Sequence, residues 1–438
     1  MKARASEVAT AVGGSVVGPD AGVDGVAIDS RLIAGGELFV PVVAARDGHL
    51  FVEDATRAGA AAYLTSEGAR GGTAVEVKDT MVALADLARW WRSRLTSARV
   101  AAVTGSVGKT STKDLLRSVL CRRYETTASP RSFNNELGVP LTILAADESS
   151  EAVVVEMGAR ARGHLRALCD IARPGVGVVT SVTAAHTEFF GTIDDVARAK
   201  GELVEALPSA GTAVLNADDA LVAAMRELTS AKVVTFGLGA GDVRASDVVV
   251  DDGLRAAFRL DSPWGATEIA LTARGEHQVG NALAAAAAAL AMDATLDEVT
   301  RGLADAELSP WRMELLRTPS GALVLNDAYN ANPTSTAAAL RSLACLDAAR
   351  HVAVLGPMAE LGALGADAHR EIGALARELG IRVIAVGAPE YGGDNVAGLA
   401  EARRAVGDVG EGDAVLVKGS RVAGLERLAA ELVGGEPA

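Results

Sequence analysis

A chain of 438 residues suggests two to four domains, and 49% apolar residues supply enough material for several cores. A formal charge of −14 and 3% aromatic residues exclude a nucleic-acid partner, because phosphate backbones demand basic surface and unpaired bases demand stacking platforms. Three scattered cysteines, Cys121, Cys169 and Cys345, form neither a disulfide framework nor a zinc site.

The opening stretch MKARASEVATAVGG lacks the apolar core of a signal peptide, and the longest apolar run, Ala282 to Met292, is far short of a membrane span. A soluble cytoplasmic protein without membrane insertion is therefore expected. Residues 1–97 read as a mixed segment that ends in the helical pattern TMVALADLARWWRSRL. A domain boundary is placed there.

Residues 98–309 open on a strand, ARVAAV, followed by TGSVGKT and a helical pattern, STKDLLRSVLC. The loop is a compact GxxGKT, since the position of the first glycine of a full Walker loop is Val103. Strand, glycine loop and helix in that order aim the free N–H groups of a helix N-terminus at one anion. Gly105, Ser106, Gly108 and Ser111 would shape the cradle, Lys109 would reach the terminal phosphates and the Thr110 hydroxyl would meet magnesium. Two apolar strands follow, AVVVE and VGVVTSV, in the manner of a parallel sheet with its site at the carboxyl edge. Glu156 ends the first of them, where a magnesium ligand is needed, and His186 follows the second. The plain readings are a solvated strand-end glutamate, which the position disfavours, and a structural or exposed histidine, which spacing alone favours. Lys200, in ARAKGELVEAL, reads as a solvated helix-face lysine beside Glu202. His277 and Asn281 stand one helical turn apart and can meet one ligand, ahead of an alanine-rich helix that is expected to be buried.

Residues 310–438 begin near Arg312, at the joint, and continue with the strand ALVLND, which ends in Asp327. The alternation of strand and helix from there predicts a doubly wound parallel sheet.

Taken together, TGSVGKTSTK, FNNELGVP, EMGA, AAHTEFF, AKGE, GEHQVGNALAA, WRME and NDAYNANP resemble the Mur ligases, ATP-dependent amide-forming enzymes of peptidoglycan precursor synthesis, over nearly the whole chain. NDAYNANPTS and LVKGSR look like the branch of the family that adds D-alanyl-D-alanine to a UDP-N-acetylmuramoyl-tripeptide. The DNPR motif of the tripeptide-forming branch is absent. The resemblance implies an α/β fold of three domains: a small mixed N-terminal domain for the UDP-substrate, a central P-loop ATPase-like parallel-sheet domain, and a C-terminal Rossmann-like domain for the amine substrate. It also implies a monomer that uses ATP and two magnesium ions.

By this resemblance Ser30 and Arg31 contact the uridine nucleotide, and Asn134 and Asn135 contact the substrate between domains. Glu156 and His186 hold magnesium, and Lys200 is carbamylated to hold a second ion. His277 and Asn281 lie near adenine, Arg312 and Asp327 close on the nucleotide, and Tyr329, Asn330, Asn332 and Lys418 line the substrate site. Departures from the family pattern are Pro357 in place of a frequent aspartate, Leu425 in place of methionine, and Ser181 and Thr183 in place of asparagine and glycine. The segment PVVAARDGHLF is also altered before its DGH. A folylpolyglutamate synthetase and a P-loop kinase are the alternatives, and the long N-terminal segment with IDSR disfavours the first.

Overall fold

The computed structural model describes residues 1–183 and 190–434. Three sheets follow one another along the chain, with a short two-stranded ribbon, Lys2–Arg4 against Gly22–Asp24, at the start.

The first sheet has five short strands in the order Ser15–Val17, Ala74–Glu76, Ala62–Thr65, Leu38–Phe39, Val26–Ala27, parallel except for the first pair. The helix Thr80–Arg94 closes this segment. Its start is fixed by Asp79, whose carboxylate accepts from the amides of Met81 and Val82 at 2.7 and 3.0 Å. Its buried stripe is Ala83, Leu84, Leu87, Ala88 and Trp91, spaced for one helical face. That face does not stay within the first 97 residues. Trp91 donates its indole N–H to the carbonyl of Ala146 at 2.8 Å, and the N-terminal ammonium donates to the carbonyl of Leu144 at 2.9 Å. One continuous apolar cluster joins Leu84, Leu87 and Trp91 to Val100, Ala102, Ile143, Val153, Val155 and Leu168.

The central sheet has nine strands. Its parallel part runs Lys232–Gly237, Thr212–Asn216, Val176–Val179, Arg99–Thr104, Ala152–Glu156, Thr126–Ala128. Val243–Val250, Arg255–Ser262 and Gly265–Arg274 extend it as an antiparallel meander whose alternating burial marks a sheet with one face in water. Arg99–Thr104 lies near the middle, and the register sets Glu156 beside Val103 at the carboxyl edge. The helix that follows the glycine loop, Lys109–Leu120, buries Leu115, Leu116, Val119 and Leu120 against the alanine-rich helix Gln278–Ala291 and the helix Leu296–Ala304. Small side chains permit this approach. A Cβ on Gly302 would stand 2.4 Å from Val119 Cα.

The last sheet has six strands in the order Glu314–Arg317, Leu323–Asp327, Asp413–Lys418, Arg350–Leu355, Arg382–Val386, Asp394–Val396. All pairs but the first are parallel. Helices Pro333–Ala344 and Gly365–Glu378 cover one face and Leu399–Val406 and Glu426–Leu432 the other, giving two separate apolar layers. The predicted doubly wound sheet is present, with an added antiparallel edge strand.

Candidate active site

The loop after Thr104 is shaped by two glycines and held by hydroxyls from a neighbouring strand end. Gly105 has φ 147° and Gly108 φ 86°, both in the left-handed half of the map that other residues avoid. Each is also closely covered. A Cβ on Gly105 would lie 1.9 Å from Thr180 Oγ1, and one on Gly108 would lie 2.3 Å from Asn281 Oδ1. The Thr180 hydroxyl is within donating distance of the Val107 carbonyl, and Ser181 accepts from the Ser106 amide through its carbonyl (2.8 Å) and from the Val107 amide through its hydroxyl (3.0 Å). Ser106 Oγ accepts from the Thr183 amide at 3.0 Å. So Ser181 and Thr183, two departures from the family pattern, brace the loop.

Lys109 opens the helix, and its ammonium curls back to the carbonyls of Gly105 and Ser106 at 2.7 and 3.3 Å. It is half-buried. Burial lowers its pKa, and the nearby carboxylate of Glu156 works the other way. Thr110 Oγ1 meets Ser132 Oγ at 3.0 Å and accepts from Arg312 Nη2 at 2.9 Å. Asn134 Nδ2 donates to Glu156 Oε1 at 2.8 Å. The other oxygen of Glu156, a residue only 1% exposed, is buried without a hydrogen-bond partner.

Lys200 corrects the surface reading given by its sequence context. It is 2% exposed and faces the same cavity as Lys109. Burial and then the positive charge of Lys109 push its pKa well down, and among the described residues no carboxylate forms an ion pair with its ammonium. Glu202, the expected surface companion, instead accepts from the amides of Gly163 and Arg166 at 2.5 and 3.1 Å and caps the helix His164–Ala172. His186 lies outside the described residues.

His277 is the N-cap of the alanine-rich helix; burial lowers its pKa, with Asp327 opposing. Asn281 donates to Gln278 Oε1 at 2.8 Å and packs over Gly108. From the last sheet, Arg312 stacks on Tyr329 with its guanidinium carbon 4.3 Å from the ring centroid, and its Nε is buried without a partner. It is flanked by Trp311 (φ 62°) and Met313 (φ 53°), two non-glycine residues in the left-handed region. Asp327 pairs with buried Lys418, which also donates to the Asn330 carbonyl at 2.9 Å. Asn332 caps the helix Pro333–Ala344 by accepting from the Ser335 amide at 2.9 Å, and Asn135 accepts from the Gly138 amide at 3.0 Å.

The phosphate loop from Gly105 to Ser111 lines one cavity of about 660 Å³ between the central and last sheets, together with Asn134, Asn135, Glu156, Lys200, His277, Asn281, Arg312, Asp327, Tyr329, Asn330, Asn332 and Lys418. Ser30 and Arg31 do not; Arg31 is 86% exposed and pairs with Asp29, holding that carboxyl down at about 2. Sequence reasoning missed Ser132, Thr180 and Glu360. Ser132 and Glu360 line the cavity, and Ser132 stands immediately before the FNN that opens at Phe133, which is the signal that could have found it.

Residues 103–289 match the Mur ligase middle domain, and residues 311–421 match the Mur ligase, glutamate ligase domain. The UDP-N-acetylmuramoyl-tripeptide--D-alanyl-D-alanine ligase of Mycobacterium tuberculosis is 38% identical, over 93% of this chain and 92% of that protein. The chain belongs to the Mur ligase family. Among solved structures, MurF from Acinetobacter baumannii superposes on this Mur ligase with a TM-score of 0.90 at 30% identity, covering 99% of each chain. MurF ligase from Thermotoga maritima, in complex with ADP, gives a TM-score of 0.82 at 27% identity over 94% of this chain and 97% of that one.

Proposed function

We propose that this Mur ligase joins D-alanyl-D-alanine to a UDP-N-acetylmuramoyl-tripeptide at the expense of ATP, in peptidoglycan precursor synthesis. The observation that carries the reading is the convergence of the phosphate loop, Glu156, Lys200, Arg312 and Lys418 on one cavity between two sheets. The ADP bound by the Thermotoga relative supports a nucleotide on the loop. A carboxylate is a poor acylating agent, so the γ-phosphoryl of ATP passes to the peptide carboxylate, leaving ADP and an acyl phosphate. The amine of the dipeptide then adds to the acyl carbon and loses its proton, and the C–O bond to phosphate breaks to leave the amide.

The chain's residues serve each stage. The amides at the start of Lys109–Leu120 face the phosphates. Lys109 exchanges two loop carbonyls for phosphate oxygens, and Arg312 adds a second cation from the last sheet. The UDP-linked substrate is assigned to residues 1–97 through Ser30 and Arg31, ATP to 98–309, and the dipeptide to 310–438, with Asn134, Asn135, Tyr329, Asn330 and Asn332 around the joining atoms. Thr110, Glu156, His186 and Lys200 would hold magnesium, whose part is to neutralise phosphate charge. The bare buried oxygen of Glu156 fits a cation. Lys200 as a carbamate belongs to the same proposal, supported by its burial in the cavity without an ion-pair partner among the described residues. Labelled bicarbonate would show it as a carbamate resonance that Lys200→Met abolishes. A cytoplasmic, monomeric enzyme belongs to the same proposal, and the use of ATP supports the location. No described helix is long and apolar enough to cross a membrane.

The deciding experiment incubates the protein with ATP, the UDP-linked tripeptide and the dipeptide. Phosphate release that requires both co-substrates, with amide product, is expected. Phosphate release in the absence of the dipeptide, or none at all, overturns the reading.

A further inference from the structure

Two charged residues one turn past the phosphate loop have no part in the chemistry above. Lys113 is 2% exposed and Asp114 is also buried, and neither lines the cavity. The Lys113 ammonium spends its three donors on the carbonyls of Ser129 and Arg131, at 2.8 and 2.9 Å, and on Asp114 Oδ1 at 2.6 Å. Asp114 Oδ2 accepts from the Ser309 amide at 2.7 Å. A buried ion pair is seldom the most stable way to fill a core, so its presence points to a demand for fixed geometry.

What the pair holds is specific. The carbonyls it binds begin the loop 129–135, in which Arg131 adopts φ 49° and from which Ser132 reaches Thr110 and Asn134 reaches Glu156. The loop is pinned at a second point, where Ser129 Oγ accepts from the Glu156 amide at 3.1 Å. The amide it binds lies three residues before Arg312, whose guanidinium lands on the same Thr110 hydroxyl. One cation and one anion on the phosphate helix thus fix two of the segments that approach the phosphate loop from outside.

We propose that Lys113 and Asp114 are a positioning pair that ties the loop 129–135 and the strap 309–313 to the phosphate helix, so that nucleotide and acyl substrate are brought into register by one rigid element. The identity of those two ligands rests on the ligase reading; the mechanical coupling of the three segments does not.

The test uses the full chain and the double variant Lys113→Met/Asp114→Asn, which removes both charges while keeping a neutral acceptor for Ser309. Hydrogen exchange read by mass spectrometry should quicken about ten-fold or more at 129–135 and 309–313 while the strand 152–156 stays protected. The KM for the UDP-linked peptide should rise about ten-fold, with the Kd for ADP within about two-fold of wild type. Unchanged exchange in both segments, acceleration spread evenly over the chain, or equal loss of ADP and peptide binding overturns the proposal. Should the double variant fail to fold, Asp114→Asn alone decides it by the same criteria, with a smaller effect in the same two segments. A wild-type enzyme that did not ligate would sink the ligase reading and leave the exchange result to judge the coupling.

Discussion

Asn134 satisfies one oxygen of Glu156 and leaves the other bare, and around that imbalance the charged residues of the cavity acquire distinct tasks. Lys109 is half-buried and bonded only to loop carbonyls, so its packing contribution is small and its charge is free to move to a phosphate. Lys109→Met should lower kcat by about 10²–10³-fold, the usual cost of losing one preorganised charge-stabilising group, with the melting temperature nearly unchanged. Turnover near that of wild type would remove the phosphate-loop assignment. Lys200 is the converse case. Its folded pKa lies below the unfolded value, so as pH falls from the unfolded pKa the unfolded chain takes up a proton that the folded chain refuses. Stability is therefore lost as pH falls below the unfolded pKa. Lys200→Met should raise the melting temperature of the metal-free protein by about 2 °C or more, the shift expected for about 1 kcal/mol in a domain of this size, while turnover collapses. A variant that melts lower at pH 7 would contradict this account of the burial.

At the scale of elements, caps and close approaches decide which substitutions matter. Asn332 holds the start of Pro333–Ala344 beside the cavity, and Asn332→Ala should cost about 1 kcal/mol in urea unfolding. Asn332→Asp should cost much less, because the acceptor is kept. Gly108→Ala should be worse than either, since the left-handed φ and the contact with Asn281 both oppose a Cβ, and activity should fall with it. These elements also show what sequence could reveal. The phosphate loop was legible because its strand, glycines and helix are contiguous, and so was the alternation that builds the last sheet. Lys200 was not. Its neighbour Glu202 reads as a partner, yet it turns to cap a helix whose N-cap, Gly163, lies 39 residues earlier, a choice made by tertiary packing. Ser181 read as a departure of unknown effect, because its bond to Val107 spans 74 positions. The antiparallel meander from Val243 to Arg274 went unread, since its strands are half in water and mix apolar with charged residues.

For the whole molecule the shared core is decisive. The boundary near residue 97 separates two sheets but not two apolar clusters, because Leu84, Leu87 and Trp91 belong to one continuous cluster with Val153, Val155 and Leu168. Exposing a fully buried Val, Leu or Ile costs about 1.5–3 kcal/mol, so baring even five or six of them consumes the 5–15 kcal/mol of a typical domain. A chain starting at residue 98 should be insoluble or bind hydrophobic dyes strongly. Recovery of a soluble, cooperatively melting fragment would show that the two parts fold independently.

The joint at Arg312 has an optical consequence. Of the four tryptophans, Trp90 and Trp91 sit in the helix Thr80–Arg94 and Trp264 in the meander, while Trp311 alone occupies the joint, with the Arg421 guanidinium 4.3 Å from its ring centroid. Any rotation of the last sheet that draws Arg312 from Thr110 must turn its neighbour Trp311 and shift the charge lying over it. Indole emission is sensitive to such a charge, so a chain in which the other three tryptophans are replaced by phenylalanine carries its own gauge of domain closure. Added nucleotide would then be read as a change of colour and intensity, in real time and without a label.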